Sequence, residues 1–338
     1  MTGEAFFLFP GQGAQYAGMA LDLLESSLRS GGKSIKLLFS QASEITGRDM
    51  VALLGNSSPE TLKRTDVSQP AITLANLAAA AYLTEKGITP SGCAGFSLGE
   101  YAALVTSGII TGEACFYLVT QRGKAMQAAV DRLAAGGAKV PGWPAESSAP
   151  GMAAVMGLAP EKVETLIHEW KSESSGTLGE IYAANINSFR QTAVSGTAGA
   201  LAEAESRFMA AGARRFIRLQ VAGPFHSPLM AEAAEEFRPS LDKIHFSDPC
   251  IPFYSNVSGK LVSSGEEAKK LALLQIQGAV RWTDEEAAIM AAGGIACLLE
   301  TGPGKVLQGL WKDTGFPLPC YAAGTAADID KLAVNNGI

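Results

Sequence analysis

The sequence is poor in the residue types that hold metals or form disulfide frameworks. Its 338 residues include only three histidines and five cysteines, and the cysteines lie far apart, at positions 93, 115, 250, 297 and 320. Their number is odd and no two have the spacing of a metal-ligand pair, so we interpret them as reduced, mostly buried thiols in a reducing compartment. The sequence therefore predicts neither a metal site nor a disulfide-stabilised extracellular fold.

Long apolar runs and clusters of basic charge are also missing. The apolar stretches are too short, or too often interrupted by polar residues, to span a bilayer. The short apolar run near the start lacks the basic leader of a signal peptide. Charged residues make up 18% of the chain and the formal net charge is −6. We therefore expect a cytoplasmic protein with neither a membrane nor a nucleic-acid partner.

The first part of the chain predicts strands that alternate with helices. Residues 5–9 form an apolar run that ends at a Pro-Gly pair, which is typical of a buried strand followed by a tight turn. Helical periodicity covers residues 35–54 and 71–83, and a short strand then leads to Gly95 before a helix that begins at Leu98. Together with 47% hydrophobic residues, this alternation predicts a large α/β fold with a mostly parallel sheet.

The middle of the chain has its own organisation. Residues 134–150 are rich in Gly, Pro, Ala and Ser and are interpreted as a linker. Residues 151–221 then predict a strand, a helix, two strands, a helix and a strand, and this βαββαβ order is the ferredoxin-like arrangement. We therefore predict a small ferredoxin-like subdomain at 151–221, inserted into a larger α/β catalytic subdomain formed by residues 1–133 and 222–338.

A serine lies between two glycines at the predicted turn from strand to helix. The pentapeptide Gly95-Phe96-Ser97-Leu98-Gly99 matches the G-x-S-x-G pattern. Its position between a predicted strand and a predicted helix is the context in which this pattern indicates a nucleophilic serine. The backbone N–H of Leu98 would lie at a helix N-terminus, where an oxyanion can be stabilised. The same pentapeptide also fits an ordinary serine in a glycine-bounded turn.

A serine nucleophile needs a general base, and the chain offers three histidines. His168 lies among charged residues of a predicted helix and His245 precedes a turn, so we interpret both as solvated or structural. His226 lies in a loop just past a predicted strand, and loops at strand ends are common positions for catalytic groups. We therefore predict that His226 is the base for Ser97.

An arginine interrupts an apolar helical stripe. The stripe has spacings of three and four and consists of Cys115, Leu118, Arg122, Met126 and Ala129. A charge in such a place needs a partner, and the planar guanidinium matches a carboxylate through two parallel hydrogen bonds. The partner is either the carboxylate of a ligand or an internal Asp or Glu.

Five motifs together resemble the malonyl-CoA:acyl carrier protein transacylase family over nearly the whole chain. They are FPGQGAQ at 9–15, GFSLGEYAAL at 95–104, QRGKAMQ at 121–127, PFHSPLM at 224–230 and ETGPGKVL at 300–307. The resemblance implies an α/β-hydrolase-like large subdomain beside the ferredoxin-like one. It also implies transfer of a malonyl group from malonyl-CoA to the phosphopantetheine thiol of an acyl carrier protein, in fatty-acid or polyketide synthesis.

The resemblance implies a role for each residue of the catalytic centre. Ser97 matches the nucleophile that becomes acylated, and His226 matches its base. The backbone N–H groups of Gln12 and Leu98 match the two donors of the oxyanion hole. Coenzyme A thioester and phosphopantetheine are substrates, so we expect no bound cofactor and no metal.

The resemblance also implies which residues select the acyl group and which residue orients the histidine. Arg122 matches the arginine that pairs with the free malonyl carboxylate, and the backbone carbonyl of Gln275 matches the group that orients the catalytic histidine. Many family members have His where this chain has Phe96 in the acyl pocket. Phe225 resembles the malonyl-selective pattern of polyketide acyltransferases, from which Pro224 departs. We expect selectivity for malonyl over methylmalonyl.

Other functions fit parts of the pattern. A serine esterase or thioesterase would use the same serine–histidine pair but would have no use for Arg122. A non-catalytic carrier-docking module would predict damage to that pair, which is intact. A trans-acting polyketide acyltransferase would share the chemistry and differ only in its carrier.

We expect the enzyme to be a monomer, and Arg214, Arg215 and Arg218 are candidates for docking an acidic carrier.

Overall fold

A computed structural model describes residues 4–136, 149–173 and 177–334. The first of its two main sheets includes the first strand of the chain. This sheet contains β1 (Glu4–Phe9), β2 (Pro90–Gly95), β9 (Ile295–Glu300) and β10 (Cys320–Ala322). The strands are parallel and lie in the order β10–β9–β1–β2. Phe7 and Phe9 pack in one hydrophobic cluster and Phe6 and Leu8 in another, because both faces of β1 are covered.

The register of β1 and β2 brings two loops together. Phe9, the last residue of β1, pairs with Gly95, the last residue of β2. The loop that follows Phe9 and the turn that contains Ser97 therefore leave the same edge of the sheet. The carboxyl ends of parallel strands are where α/β folds commonly bind ligands.

Helices in the first part of the chain pack around this sheet. The segment predicted as helical over 35–54 is two helices, because Gly47 adopts a positive φ of 67° and ends the first of them. The helix predicted over 71–83 begins earlier, at Thr65. The helices up to residue 136 are α1 (Leu21–Arg29), α2 (Ser34–Thr46), α3 (Met50–Asn56), α4 (Pro59–Lys63), α5 (Thr65–Glu85), α6 (Gly99–Thr106) and α7 (Gly112–Gly136).

The second sheet is antiparallel and follows residue 150. Its elements are β3 (Gly151–Met156), α8 (Pro160–Glu173), a short 3-10 helix (Thr177–Glu180), β4 (Ile181–Ser188), β5 (Gln191–Gly196), α9 (Ala198–Ala210) and β6 (Arg215–Arg218). The strand order is β4–β5–β3–β6, with every neighbouring pair antiparallel. The predicted βαββαβ, ferredoxin-like arrangement is therefore confirmed. The last strand ends at Arg218, three residues before the predicted end at 221.

The remaining elements complete the large part of the fold. A two-stranded hairpin of β7 (Tyr254–Ser255) and β8 (Lys260–Leu261) lies beside β2, where the N–H of Cys93 donates to the carbonyl of Pro252 over 2.8 Å. The elements are a 3-10 turn (Pro228–Met230), α10 (Ala231–Asp242), β7 (Tyr254–Ser255), β8 (Lys260–Leu261), α11 (Gly265–Leu274), α12 (Trp282–Ala292), α13 (Val306–Thr314) and α14 (Ala326–Val334).

One segment joins the two sheets directly. The N–H of Ile186 on β4 donates to the carbonyl of Val280 over 2.8 Å, and the N–H of Val280 donates to the carbonyl of Ala184 over 2.8 Å. Val280 lies in the loop that joins α11 to α12. The small sheet is thereby fixed against the same loop that carries Gln275 and Gly278.

The predicted linker lies largely outside the described residues. Helix α7 continues to Gly136, beyond the predicted linker start at 134, and residues 137–148 are not described. The division into 1–133 with 222–338 and 151–221 stays a prediction. Within the ranges that the structure describes, no helix has both the length and the apolar character required to cross a membrane.

Candidate active site

Ser97 lies in the sharp turn between β2 and α6. Its φ is +52°, a conformation that costs a non-glycine residue about 1–3 kcal/mol and that often marks a functional site. The turn requires glycine on both sides of the serine. A Cβ added to Gly95 would lie 2.1 Å from the carbonyl carbon of Gly99, and one added to Gly99 would lie 2.0 Å from the carbonyl oxygen of Phe9.

His226 contacts Ser97 directly, although 129 residues separate them in the sequence. Its Nε2 lies 2.7 Å from the Ser97 Oγ. On the other side of the ring, Nδ1 lies 2.9 Å from the carbonyl oxygen of Gln275 and 3.1 Å from that of Gly278. Two carbonyl acceptors require that Nδ1 carry the proton, so Nε2 is free to accept the hydroxyl proton of Ser97.

The surroundings of His226 keep its ring neutral. The residue is only 4% exposed, and burial is the main cause that lowers its pKa to about 4. The positive charge of Arg122 lowers it further, while the hydrogen bonds to Gln275 and Gly278 act in the opposite direction. At neutral pH the imidazole is therefore unprotonated at Nε2, as a general base must be.

Two backbone donors lie on the neighbouring loops. The N–H groups of Leu98 and Gln12 have no hydrogen-bond acceptor among residues 4–136, 149–173 and 177–334. The loop of Gln12 packs tightly on the serine turn, since a Cβ added to Gly11 would lie 2.3 Å from the carbonyl oxygen of Phe96 and 3.5 Å from Leu98 N. Such donors beside a nucleophile can stabilise a developing oxyanion.

Arg122 is 1% exposed and lies on α7, where the helical stripe predicted it. Its Nη2 donates to the side-chain oxygen of Gln275 over 3.1 Å, and its guanidinium carbon lies 5.5 Å from the centre of the Tyr101 ring. Its Nε has no partner in the described part of the chain. Burial lowers the pKa of Arg122, while the nearby Tyr101 and Glu100 side chains act in the opposite direction.

No internal carboxylate neutralises Arg122 by direct contact among the described residues. Glu100 contributes favourable charge, but its carboxylate accepts the N–H of Asn256 over 2.6 Å and a hydrogen bond from Ser255 over 3.5 Å. Burial raises the pKa of Glu100 to about 7, so this group is partly protonated near neutral pH. The arrangement leaves a buried guanidinium that an incoming carboxylate can neutralise.

A cavity of about 610 Å³ lies between the two sheets and contains most of the predicted site. Strands β3, β4 and β5 of the small sheet line one side, through Met152, Asn185, Asn187, Gln191 and Ala193. Six of the eight predicted site residues line it, namely Gln12, Phe96, Ser97, Arg122, Phe225 and His226. The side chains of Leu98 and Gln275 are buried behind its wall.

Several residues that support the site were not predicted. Asn256 accepts the N–H of Ser97 over 2.6 Å, and Gly278 provides a second acceptor for His226. The side chain of Gln275, expected to act only through its carbonyl, donates from Nε2 to the carbonyl of Ser97 over 2.9 Å. Glu100 lies within the GEYAAL motif as the second residue of α6, and its place on a buried helix was the only sequence signal among these residues.

The other predicted residues lie away from the cavity. His168 and His245 are exposed, as expected. Arg214 and Arg215 are exposed at the start of β6, while Arg218 is half-buried and donates to the carbonyl of Ala149 over 3.3 Å. All five cysteines are free thiols, and those at positions 93, 115 and 297 are buried, whereas the one at 250 is exposed.

Comparison with known proteins agrees with this geometry. Residues 6–165 match the family model described as an acyl transferase domain. The malonyl CoA-acyl carrier protein transacylase of Bacillus subtilis (strain 168) is 35% identical over 324 residues, which are 96% of this chain and 94% of that protein.

Solved structures of similar proteins cover the chain almost completely. The malonyl-transacylase from Streptococcus pneumoniae superposes with a TM-score of 0.86 at 31% identity, covering 98% of this chain and 100% of that one. PlMCAT, a malonyl-transacylase solved with AntF, its type II PKS acyl-carrier protein, superposes with a TM-score of 0.84 at 33% identity, covering 98% and 100%. The chain belongs to the malonyl CoA-acyl carrier protein transacylase family.

Proposed function

We propose that this protein transfers a malonyl group from malonyl-CoA to the phosphopantetheine thiol of an acyl carrier protein, through an ester formed on Ser97. One arrangement carries the proposal. The Ser97–His226 pair faces a cavity that also contains Arg122, a buried cation whose Nε has no partner among the described residues. A nucleophile and a carboxylate-binding group in one cavity fit a substrate that has both a thioester and a free carboxylate.

The first half-reaction acylates the serine. The Nε2 of His226 takes the hydroxyl proton while the Ser97 Oγ attacks the thioester carbonyl of malonyl-CoA. The oxyanion that forms accepts hydrogen bonds from the N–H groups of Leu98 and Gln12, each worth about 3–4 kcal/mol in the transition state. The intermediate then collapses, the carbon–sulfur bond breaks, and the proton on His226 passes to the thiolate of coenzyme A.

The second half-reaction reverses these steps with a new thiol. After coenzyme A leaves, the phosphopantetheine arm of the carrier enters the cavity, and His226 removes the proton from its thiol. The thiolate attacks the ester carbonyl, a second oxyanion uses the same two donors, and the carbon–oxygen bond to Ser97 breaks. The proton returns from His226 to the Ser97 Oγ, so the enzyme is regenerated without gain or loss of protons.

Arg122 selects the acyl group. The guanidinium can form two parallel hydrogen bonds with the malonyl carboxylate, whereas an acetyl group would leave it buried with no carboxylate in direct contact. Phe96 and Phe225 also line the cavity, and their bulk limits the room beside the acyl chain. This lining supports malonyl over the branched methylmalonyl group.

The partners follow from the same chemistry. The Bacillus subtilis relative is named for malonyl-CoA and acyl carrier protein, and PlMCAT was solved with a carrier. We assign the same two substrates to this chain, with no bound cofactor.

Since one chain supplies every group of the site, we expect an active monomer. The free thiols fit the reducing cytoplasm, and Arg214, Arg215 and Arg218 are offered as docking residues for an acidic carrier.

Mixing the protein with malonyl-CoA and a holo acyl carrier protein tests the function. We expect malonyl-carrier and free coenzyme A in equal amounts, measured by the intact mass of the carrier and by chromatographic quantification of coenzyme A. Free malonate with no malonyl-carrier would identify a thioesterase instead. No release of coenzyme A would contradict the proposed donor.

A further inference from the structure

We propose that Asn256 is a positioning residue for the nucleophile, and that its side-chain amide holds the Ser97 backbone while the buried Glu285 fixes the orientation of that amide. The inference rests on the proposed acyl-enzyme function. Asn256 follows β7 directly and is fully buried, and it does not line the cavity. Any effect it has on catalysis therefore passes through the residues that it contacts, which include Ser97 and Gln275.

All four hydrogen-bonding positions of the Asn256 amide are occupied. Its Oδ1 accepts from the N–H of Ser97 over 2.6 Å and from the Nε2 of Gln275 over 3.2 Å. Its Nδ2 donates to the carbonyl of Gly95 and to the Oε1 of Glu285, both over 2.7 Å. A reversed amide would place donors against donors and acceptors against acceptors, so the contacts define a single orientation.

Ser97 needs outside support because its backbone is in the left-handed region, at φ +52°. Its N–H bonds to Asn256, and its carbonyl accepts from the Nε2 of Gln275 over 2.9 Å and from the N–H of Glu100 over 3.1 Å. Side chains outside the turn thus hold both backbone polar groups. If the bond to Asn256 is lost, the turn can relax and move the Oγ away from His226.

Two buried carboxyl groups hold Asn256 in turn. Glu100 accepts the backbone N–H of Asn256 over 2.6 Å, and Glu285 accepts from the side-chain Nδ2. Burial, and after it the charge of Glu100, raises the pKa of Glu285 well above its ordinary value. The amide of a glutamine also carries an accepting oxygen, so Glu285→Gln can keep the acceptor for the Asn256 Nδ2.

The chain offers a matched control for Glu285. Glu286 is the next residue on α12 and is also buried, but its Oε1 accepts from the Trp282 Nε1 over 2.8 Å and no contact joins it to Asn256 in the described residues. The variants Glu285→Leu and Glu286→Leu therefore remove similar groups from the same helix. Only the first removes the acceptor for the Asn256 amide.

The test measures single-turnover acylation of Asn256→Ala, Glu285→Leu, Glu285→Gln and Glu286→Leu by malonyl-CoA. Labelling of Ser97 by an organofluorophosphonate, which needs no acyl donor, is measured in parallel. We expect Asn256→Ala and Glu285→Leu to lower both rate constants about 10- to 100-fold, with half-saturation by malonyl-CoA unchanged. Glu285→Gln and Glu286→Leu should stay within threefold of the unchanged protein.

Two results would overturn the positioning role. One is acylation by both Asn256→Ala and Glu285→Leu at the unchanged rate. The other is an equal loss in Glu286→Leu, which would indicate general damage to α12. If the unchanged protein reacts with the organofluorophosphonate but not with malonyl-CoA, the proposed donor is wrong, and the labelling rates of the variants still decide the role of Asn256.

Discussion

The guanidinium of Arg122 donates a hydrogen bond over 3.1 Å to the side-chain oxygen of Gln275, whose backbone carbonyl in turn accepts from His226. The same side chain donates to the carbonyl of Ser97. Gln275 thus contacts the proposed carboxylate-binding group, the base and the nucleophile. In the proposed mechanism, recognition of the acyl group and placement of the Ser97–His226 pair therefore both depend on one buried residue.

Replacement of Arg122 should change acyl selectivity more than it changes folding. In Arg122→Ala, malonyl loses its charge-assisted hydrogen bonds and acetyl no longer leaves a buried cation unpaired. We expect the ratio of malonyl-CoA to acetyl-CoA acylation rates to fall about 10- to 100-fold. Arg122→Lys should give an intermediate ratio, because it keeps the charge but loses the planar fork. An unchanged ratio in Arg122→Ala would rule out carboxylate recognition by this residue.

Acylation should retain its rate at unusually low pH. His226 acts as a base only when it is neutral, and its pKa is lowered to about 4, chiefly by burial and then by Arg122. We therefore expect the rate of organofluorophosphonate labelling to fall only as the pH drops towards 4. In Arg122→Met, which removes the second cause, the fall should begin at higher pH. A fall centred near 6.5 in the unchanged protein would contradict this account of the histidine.

Gly11 should be intolerant of a side chain. A Cβ there would lie 2.3 Å from the backbone oxygen of Phe96, so the loop that carries Gln12 must move away from the serine turn. Loss of one oxyanion donor typically costs about 10²- to 10³-fold in rate, and we expect Gly11→Ala to lower acylation by about 100-fold. Gly309→Ala is the control, because a Cβ at Gly309 would meet no atom of the described residues within 4 Å. Equal rates in both variants would exclude a role for the loop.

The buried acid Glu286 should make stability depend on pH. Burial raises the pKa of Glu286 to about 8, whereas its ordinary value is 4.5. Between these two pH values the folded protein keeps a proton that the unfolded chain releases. Stability is therefore lost as the pH rises through this window, by up to about 1.4 kcal/mol per pH unit for this group. Glu286→Gln cannot ionise and keeps an acceptor for Trp282. Urea unfolding at pH 5.5 and 8 should show a smaller loss in Glu286→Gln, and equal losses would contradict the prediction.

Part of the candidate site could be predicted because Ser97, His226 and Arg122 stand in sequence contexts with a direct physical meaning. A serine between glycines at a strand end implies a sharp turn, and Gly95 and Gly99 indeed leave no room for a Cβ. With three histidines, the choice of His226 needed only its place after a strand. The βαββαβ order was visible because each element has its own periodicity.

The supporting network could not be predicted, because its contacts join distant positions without a local pattern. Asn256 reaches Ser97 across 159 residues, and the Gln275 side chain reaches it across 178. The break at Gly47 was also missed, since apolar periodicity continues through it while only the backbone turns. Strand β6 was predicted too long, because residues 219–221 keep an apolar pattern but line the cavity.

The acyl-enzyme is the central claim, and intact mass after incubation with malonyl-CoA alone tests it most directly. The account predicts one added malonyl group, mapped by peptide mass to Ser97, little addition from acetyl-CoA, and no addition to Ser97→Ala. A stable malonyl adduct on Ser97→Ala, or steady release of coenzyme A with no adduct on the unchanged protein, would contradict it.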